Sequence, residues 1–443
     1  MAPEIIPIRE QLPNQELPYE WIKETGGSLI KSLSFGGDEV FSISREEKAT
    51  GSAYLCTTSH FIGLDWIVPG KLAISVHPKM NKGGDDDGGE VEIDYLAMAK
   101  EALINEDIDP KNFEGLLHVQ GEKPLIKIKE EDTGLILFVI VEFLAIIERL
   151  RHRGLKRSFY SREENFHFGM KGRILLAKSL QAARTPSGID SLTCAVQRFD
   201  VDTPENQYLK RALRKTLSVL QRPAYAKEAL LIEKTRLGLR AFEAVSDVYN
   251  AAPVRIKKMN PVFRDYVRAL DLAEKIIAME SLGLGKTKDY VLVPPHWIDM
   301  AKLFELYVLK KFRESVGPGG HVDYQVPVHW QIADFLCAAP RIPELAYFVA
   351  DAKYKKYDER SLEKADLRQV AGYARLEASL EKFAQWGRPP EEIDKIVPCV
   401  IIYPTVGGEE FALEKIEEVK GWRKIYKLAV SLPVKQGRSI LEG

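Results

Sequence analysis

Cysteine is scarce and scattered, with four residues in a chain of 443: Cys56, Cys194, Cys337 and Cys399, none of them in a C-x-x-C pair. That spacing excludes a zinc knuckle and a disulfide framework, and predicts buried thiols in a reducing compartment. Histidine is sparse too, eight in all, without the H-E-x-x-H spacing of a metalloprotease. No G-x-S-x-G elbow supplies a serine nucleophile. Neither sign of charge dominates: 63 Lys/Arg stand against 64 Asp/Glu, so the total does not mark a nucleic-acid binder, although opposed patches can hide in such a balance. Long apolar runs are missing as well. The most apolar segment, 134–147, is shorter than the roughly 20 residues of a membrane span and contains Glu142. It predicts a buried helix. The start, Met-Ala-Pro-Glu-Ile-Ile-Pro, lacks a basic stretch followed by an apolar one. No membrane association and a cytoplasmic location are therefore expected. The run Ser281-Leu-Gly-Leu-Gly-Lys-Thr287 ends like a phosphate-binding loop, but Glu280 stands where its first glycine belongs. The chain itself is not expected to hydrolyse a nucleotide.

The length predicts two or three domains, and the pattern divides into a multidomain α+β chain. Residues 1–130 show short apolar runs such as Lys71-Leu-Ala-Ile-Ser-Val-His-Pro78, separated by Gly and Pro, which suits a β-containing domain. The stretch Asn81-Lys-Gly-Gly-Asp-Asp-Asp-Gly-Gly-Glu90 reads as a loop, without the ligand spacing of a calcium site. Residues 131–285 read as helical, with Leu209, Leu213, Leu217 and Leu220 at helical spacing behind Pro204. They are also basic: 10 Lys/Arg against 2 Asp/Glu between Arg149 and Arg184, and 15 against 8 between Glu205 and Lys275. Such an excess suits a phosphate-backbone surface, with DNA, RNA and an acidic protein all open as partners. Residues 286–443 alternate strands and helices and predict an α/β domain with a mixed sheet. It opens on an amphipathic helix, Trp297 to Phe312, with Met300, Leu303, Phe304, Tyr307 and Val308 on one stripe.

That last region carries a constellation. Leu345-Ala-Tyr-Phe-Val-Ala-Asp-Ala-Lys-Tyr354 is an apolar strand delivering Asp351 and Lys353 to one face, since side chains two apart in a strand point the same way. An earlier apolar run, Val328 to Leu336, carries Asp334. A later helical segment, Asp366 to Arg375, places Gln369 and Tyr373 one turn apart. The triplet alone is unspecific, because Glu46-Glu-Lys48 and Asp109-Pro-Lys111 match it. The ordered set is the layout of a metal-dependent phosphodiesterase. Asp334, Asp351 and the Ala352 carbonyl make a hard oxygen site suited to Mg²⁺, with Mn²⁺ as substitute. Lys353 would hold the attacking water or meet developing negative charge, Gln369 and Tyr373 would orient it, and Glu305 would add a further acid. The competing expectation is a salt bridge at a strand end.

These residues resemble the PD-(D/E)xK nuclease core. More narrowly, the chain resembles the McrC family, the nuclease subunit of modified-cytosine restriction systems. The resemblance extends to Ile74-Ser-Val-His-Pro-Lys79, Tyr160-Ser-Arg-Glu-Glu-Asn165 with Gly169-Met-Lys-Gly-Arg173, Arg198-Phe-Asp-Val-Asp-Thr-Pro-Glu-Asn206 and Asp299-Met-Ala-Lys-Leu-Phe-Glu305. Ile332-Ala-Asp334 lacks the proline that names the wider motif. The resemblance implies a prokaryotic, Mg²⁺-dependent endonuclease of double-stranded DNA. It further implies docking, through residues 1–130, on a hexameric McrB-like AAA+ GTPase whose GTP hydrolysis the subunit stimulates; the basic region 131–285 would then face DNA. The alternatives are a non-catalytic GTPase-activating scaffold, and a repair or recombination nuclease without a GTPase partner.

Overall fold

The computed structural model describes residues 3–11, 13–17, 31–48, 51–81, 91–104, 109–129, 134–184, 191–248, 253–254, 264–281, 290–328, 331–355, 364–389, 391, 396–407 and 411–435. The expected loop at 81–90 and the glycine-rich run at 281–287 lie, apart from Asn81 and Ser281, outside them. The protein is a mixed α/β chain in two compact units: residues 1–138 with 286–443, and residues 139–285.

In the first unit, a five-stranded sheet has the order Glu4–Arg9, Leu72–His77, Phe61–Val68, His296–Asp299, Leu117–Val119. Its core is shared with an antiparallel sheet of four strands, 15–17, 51–58, 38–48 and 31–35: Ile6, Ile74, Phe61 and Trp297 cluster with Phe41, Ile43 and Tyr54. The strand 296–299 replaces the expected first turn of the amphipathic helix. Trp297 and Ile298 are apolar neighbours, which fits strand and helix alike, and they complete the N-terminal sheet instead. The crossing is close: a Cβ on Gly63 would lie 2.1 Å from the His296 carbonyl oxygen, so only glycine fits there. Asp299 then starts the helix Met300–Ser315, its carboxylate accepting from the Lys302 amide at 2.9 Å. All five expected stripe residues of that helix are buried.

The C-terminal sheet has six strands in the order His321–Val328, Gln331–Ala338, Phe348–Ala352, Cys399–Val406, Ile425–Leu432, Glu417–Glu418. The strands 348–352, 399–406 and 425–432 run parallel and the others pair antiparallel, so the sheet is mixed. Both faces are covered, as a near-continuous apolar strand requires. Phe335 and Phe348 meet Phe312 of the 300–315 helix edge-on, with ring centroids 5.2 and 5.7 Å apart. Leu336 and Val349 pack with Leu367, Val370 and Tyr373 of the helix Lys364–Tyr373. The apolar run expected as one strand from Val328 to Leu336 is divided: Val328 ends one strand and Gln331 begins its antiparallel neighbour.

The second unit holds the helices Pro204–Leu220, Ala229–Ala241 and Arg264–Ser281, together with residues 139–153 of the buried helix Gly134–Arg153. It also holds a three-stranded antiparallel sheet that the helical reading of this region missed: Ser158–His167, Ser191–Asp200 and Arg173–Ile174. The two long strands form a ribbon with Phe159, Phe166 and Phe199 among charged residues, and it lacks the one-sided apolar alternation that would announce it. Much of the basic excess of this unit forms internal pairs. Arg198 holds Glu164, Lys178 holds Glu163, Arg214 holds Asp247 and Arg268 holds Glu142. No helix among the described residues is long and apolar enough to cross a membrane.

Glu142 is wholly buried and grips Arg268 through both oxygens, at 2.7 and 3.0 Å. Removing one partner of such a pair leaves an uncompensated buried charge. Arg268→Ala should therefore destabilise the protein by about 3–5 kcal/mol in urea unfolding at pH 8. The loss should shrink at pH 5, because burial raises the Glu142 carboxyl and the orphaned group takes up a proton. An equal, small loss at both pH values would show that the pair bears little on stability.

Candidate active site

The candidate site forms where the strands 331–338 and 348–352 run side by side. Phe335 pairs with Ala350, and Asp334 and Asp351 lie one step further along. Asp334 Oδ2 accepts from the Ala352 amide at 3.0 Å. Asp351 is wholly buried. Lys353 lies just beyond the strand, its amide donating to the Ile402 carbonyl at 2.8 Å. Its Nζ lies 2.8 Å from Asp351 Oδ2 as an ion pair and donates to Gln369 Oε1 at 2.9 Å. Gln369 Nε2 in turn donates to the Tyr373 hydroxyl at 2.7 Å. The Lys353 ammonium meets Asp351 at Oδ2, and the buried Oδ1 has no hydrogen-bond partner. The structure thus brings Asp351, Lys353, Gln369 and Tyr373 into one chain of contacts, with Asp334 on the neighbouring strand.

Glu305 enters from the 300–315 helix, where its Oε2 accepts from the Tyr324 hydroxyl at 2.9 Å and from Gln325 Nε2 at 2.8 Å. Neither partner was visible in the sequence, because a strand of alternating polar residues gives no sign of what it faces. Gln325 has φ of +53°, in the left-handed region that non-glycine residues rarely occupy. Strain of this kind costs of order 1–3 kcal/mol and gathers at functional sites. Asp366 was also missed as a site residue. It is buried in the first turn of the 364–373 helix, 3.4 Å from Lys355 Nζ, and near enough to Asp351 to act on it electrostatically. A recess of about 570 Å³, lined by Gln331, Ile332, Arg368, Gln369 and Tyr373 among others, opens beside the contact chain.

The acids here are held out of water and close together. Burial and then the Asp351 charge push Asp334 up to about 7. Burial and then Asp334 push Glu305 up to about 8. Burial raises Asp351 as well, against the pull of Lys353. Burial alone would lower the Lys353 ammonium, but Asp351 overrides it and the net shift is upward. Among the described residues no group of three or more His, Cys, Asp or Glu side chains is arranged to hold a metal ion. A cation would therefore rest on Asp334, Asp351, the Ala352 carbonyl and water. The donor set fits a hard cation that keeps several waters, and the buried Asp351 Oδ1, which has no hydrogen-bond partner, is what such an ion would satisfy.

A family model described as the McrBC 5-methylcytosine restriction system component matches residues 58–382. The chain belongs to that family. No curated protein matches it. Among solved structures it is similar to a half-complex from a tetradecameric assembly of Thermococcus gammatolerans McrB AAA+ hexamers with bound McrC, at 16% identity, covering 96% of this chain and 94% of that one with a TM-score of 0.38. It is also similar to the cryo-EM structure of the Thermococcus gammatolerans McrBC complex, at 16% identity, covering 69% of this chain and 86% of that one with a TM-score of 0.28.

The raised acids set the pH dependence of stability. Between their ordinary values, 3.8 and 4.5, and their folded values near 7 and 8, the folded chain keeps protons that the unfolded chain has released. Raising pH through that window therefore favours unfolding. The thermal midpoint in a chelating buffer should fall from pH 5 to pH 8, and Glu305→Gln should flatten the fall. A midpoint that rises over this window equally in both proteins would remove the proposed coupling.

Proposed function

We propose that this chain is the DNA-cutting subunit of a GTP-dependent restriction system, a Mg²⁺-dependent endonuclease with a PD-(D/E)xK site. The observation that carries the reading is the Asp334–Asp351 pair beside the linked Lys353, Gln369 and Tyr373. When bound, a divalent cation supplies positive charge against the phosphate and acidifies a water for attack. Asp334, Asp351 and the Ala352 carbonyl would hold it. Lys353, fixed by Asp351 and Gln369, presents its ammonium to the water or to the charge that develops at phosphorus. Tyr373 holds the Gln369 amide so that its oxygen faces Lys353. Glu305 stands by as a third acid, kept in place by Tyr324 and Gln325. Arg368, exposed at the recess, is suited to a DNA phosphate.

Membership of the restriction-system family supports a hexameric AAA+ GTPase as the partner. Residues 1–130 are one docking region. The ribbon of the central unit is a second: Phe159 and Phe199 sit opposite each other with rings 4.7 Å apart, and are 73% and 56% exposed. Exposed aromatics paired on a ribbon mark a surface meant to be covered.

Asp351→Asn and Lys353→Ala should each lower DNA cutting by about 100-fold or more, as loss of a transition-state charge contact does, while leaving ring binding and GTPase stimulation intact. Wild-type cutting in either variant would show that the chemistry is elsewhere. Replacing Phe159 and Phe199 together by Ala should weaken ring binding by about 30-fold, the scale of an aromatic hot spot, without moving the thermal midpoint. Unchanged GTPase stimulation would confine docking to other surfaces.

A further inference from the structure

We infer that Lys79 is a positioning residue for this centre: it straps the segment leaving the Asp351–Lys353 strand to the N-terminal sheet, and so sets where Lys353 stands. The inference rests on the nuclease reading. Lys79 follows the strand 72–77 directly after Pro78, and its side chain runs inward instead of into solvent, leaving the residue 8% exposed. Its Nζ donates to the carbonyl oxygen of Tyr354, the residue immediately after Lys353, and to Gln11 Oε1 at 2.6 Å. The same ammonium lies 4.0 Å from the Tyr354 ring centroid. The Lys79 amide donates to Oε1 of Glu10, a wholly buried acid at the end of the first strand.

Tyr354 also packs on the 300–315 helix. Its ring lies 5.8 Å from that of Phe304, the neighbour of Glu305 on the 300–315 helix. Tyr354 is thus held between the element that carries Glu305 and the lysine of the N-terminal sheet, one bond away from Lys353. A buried ammonium is expensive to desolvate, and a leucine would fill the space at lower cost. What a leucine lacks is a donor able to fix a main-chain carbonyl. An error of about 1 Å in the placement of a reacting group is worth up to 100-fold in rate, so a fixed Tyr354 carbonyl is a means of placing Lys353. The Val-His-Pro-Lys segment noted in the sequence acquires a task by this contact.

The test is Lys79→Met in the full chain, assayed on plasmid DNA in Mg²⁺ or Mn²⁺ together with the proposed AAA+ GTPase partner. Asp351→Asn and Lys79→Arg serve as companions. We expect kcat to fall by about 10-fold or more, KM for DNA to stay within about twofold, and Lys79→Arg to recover most of the rate. Losing the ammonium leaves the buried Glu10 carboxyl without the Lys79 charge, so the thermal midpoint should fall modestly while KM holds. Wild-type kcat in Lys79→Met overturns the inference, as does a midpoint that falls together with kcat and KM, which is what a general packing defect gives. Should Lys79→Met aggregate, Gln11→Ala, an exposed partner of the same Nζ, should still lower kcat by about threefold, and no change there overturns it too. If Asp351→Asn cuts like wild type, the nuclease reading falls first and this role falls with it.

Discussion

Two carboxylates on adjacent strands of a covered sheet repel each other, and the C-terminal half of the protein is arranged around that repulsion. Asp334 is steadied by one main-chain amide, and Asp351 by one ammonium that it shares with Gln369. Burial outweighs both contacts, and the Asp351 charge adds to it at Asp334, so both acids hold their protons to higher pH than usual. The sheet has to be rigid to keep them there. It is a mixed sheet with phenylalanine packing on one face and a leucine, valine and tyrosine layer on the other, which leaves Asp351 buried and Asp334 half-buried. Glu305 extends the same tension. A strained Gln325 and a buried tyrosine hydroxyl are spent on keeping it beside Asp334.

That much of this was legible in the chain follows from two periodicities. Asp351 and Lys353 are two apart on a strand, and Gln369 and Tyr373 are four apart on a helix, so each pair shares a face by geometry alone. Their assembly into one contact chain follows from the strand order, which periodicity does not contain. What stayed hidden had no period to show. Tyr324 and Gln325 act through a backbone in the left-handed region, and Asp366 looks like any acid in a helix's first turn. The ribbon at 158–167 and 191–200 is polar and apolar on both faces, so it read as part of a helical region. The basic excess of residues 149–275 was visible as a count, but a count does not show that Arg198, Lys178, Arg214 and Arg268 already face acids.

The first unit joins the two ends of the chain, and the joint is built from the segment just ahead of the site. His296–Asp299 is a strand of the N-terminal sheet, and the next residue begins the helix that carries Glu305. Trp297 donates towards Asp65, whose carboxylate also receives Gln120 and both contacts from Lys123. The N-terminal sheet is therefore part of the frame that fixes the direction of that helix. A separation of the chain into a docking part and a cutting part along the sequence would cut through this sheet. The N-terminal sheet and the geometry at the acids are mechanically continuous within the unit.

This continuity bears on the acids themselves. Burial and neighbouring charge raise Asp334 to about 7 and Glu305 to about 8, so both keep their protons further up the pH scale than carboxylates in water. A divalent ion on this pair would have to displace those protons, so its affinity would depend on how closely the sheet holds Asp334 to Asp351 and how firmly Lys353 is kept on the pair. A small displacement of the Lys353 segment, or of the helix under Glu305, changes the proton affinity of every acid in the set at once, because they are coupled. The strand 296–299 of the N-terminal sheet runs directly into the helix that carries Glu305, so that sheet bears on where the third acid stands.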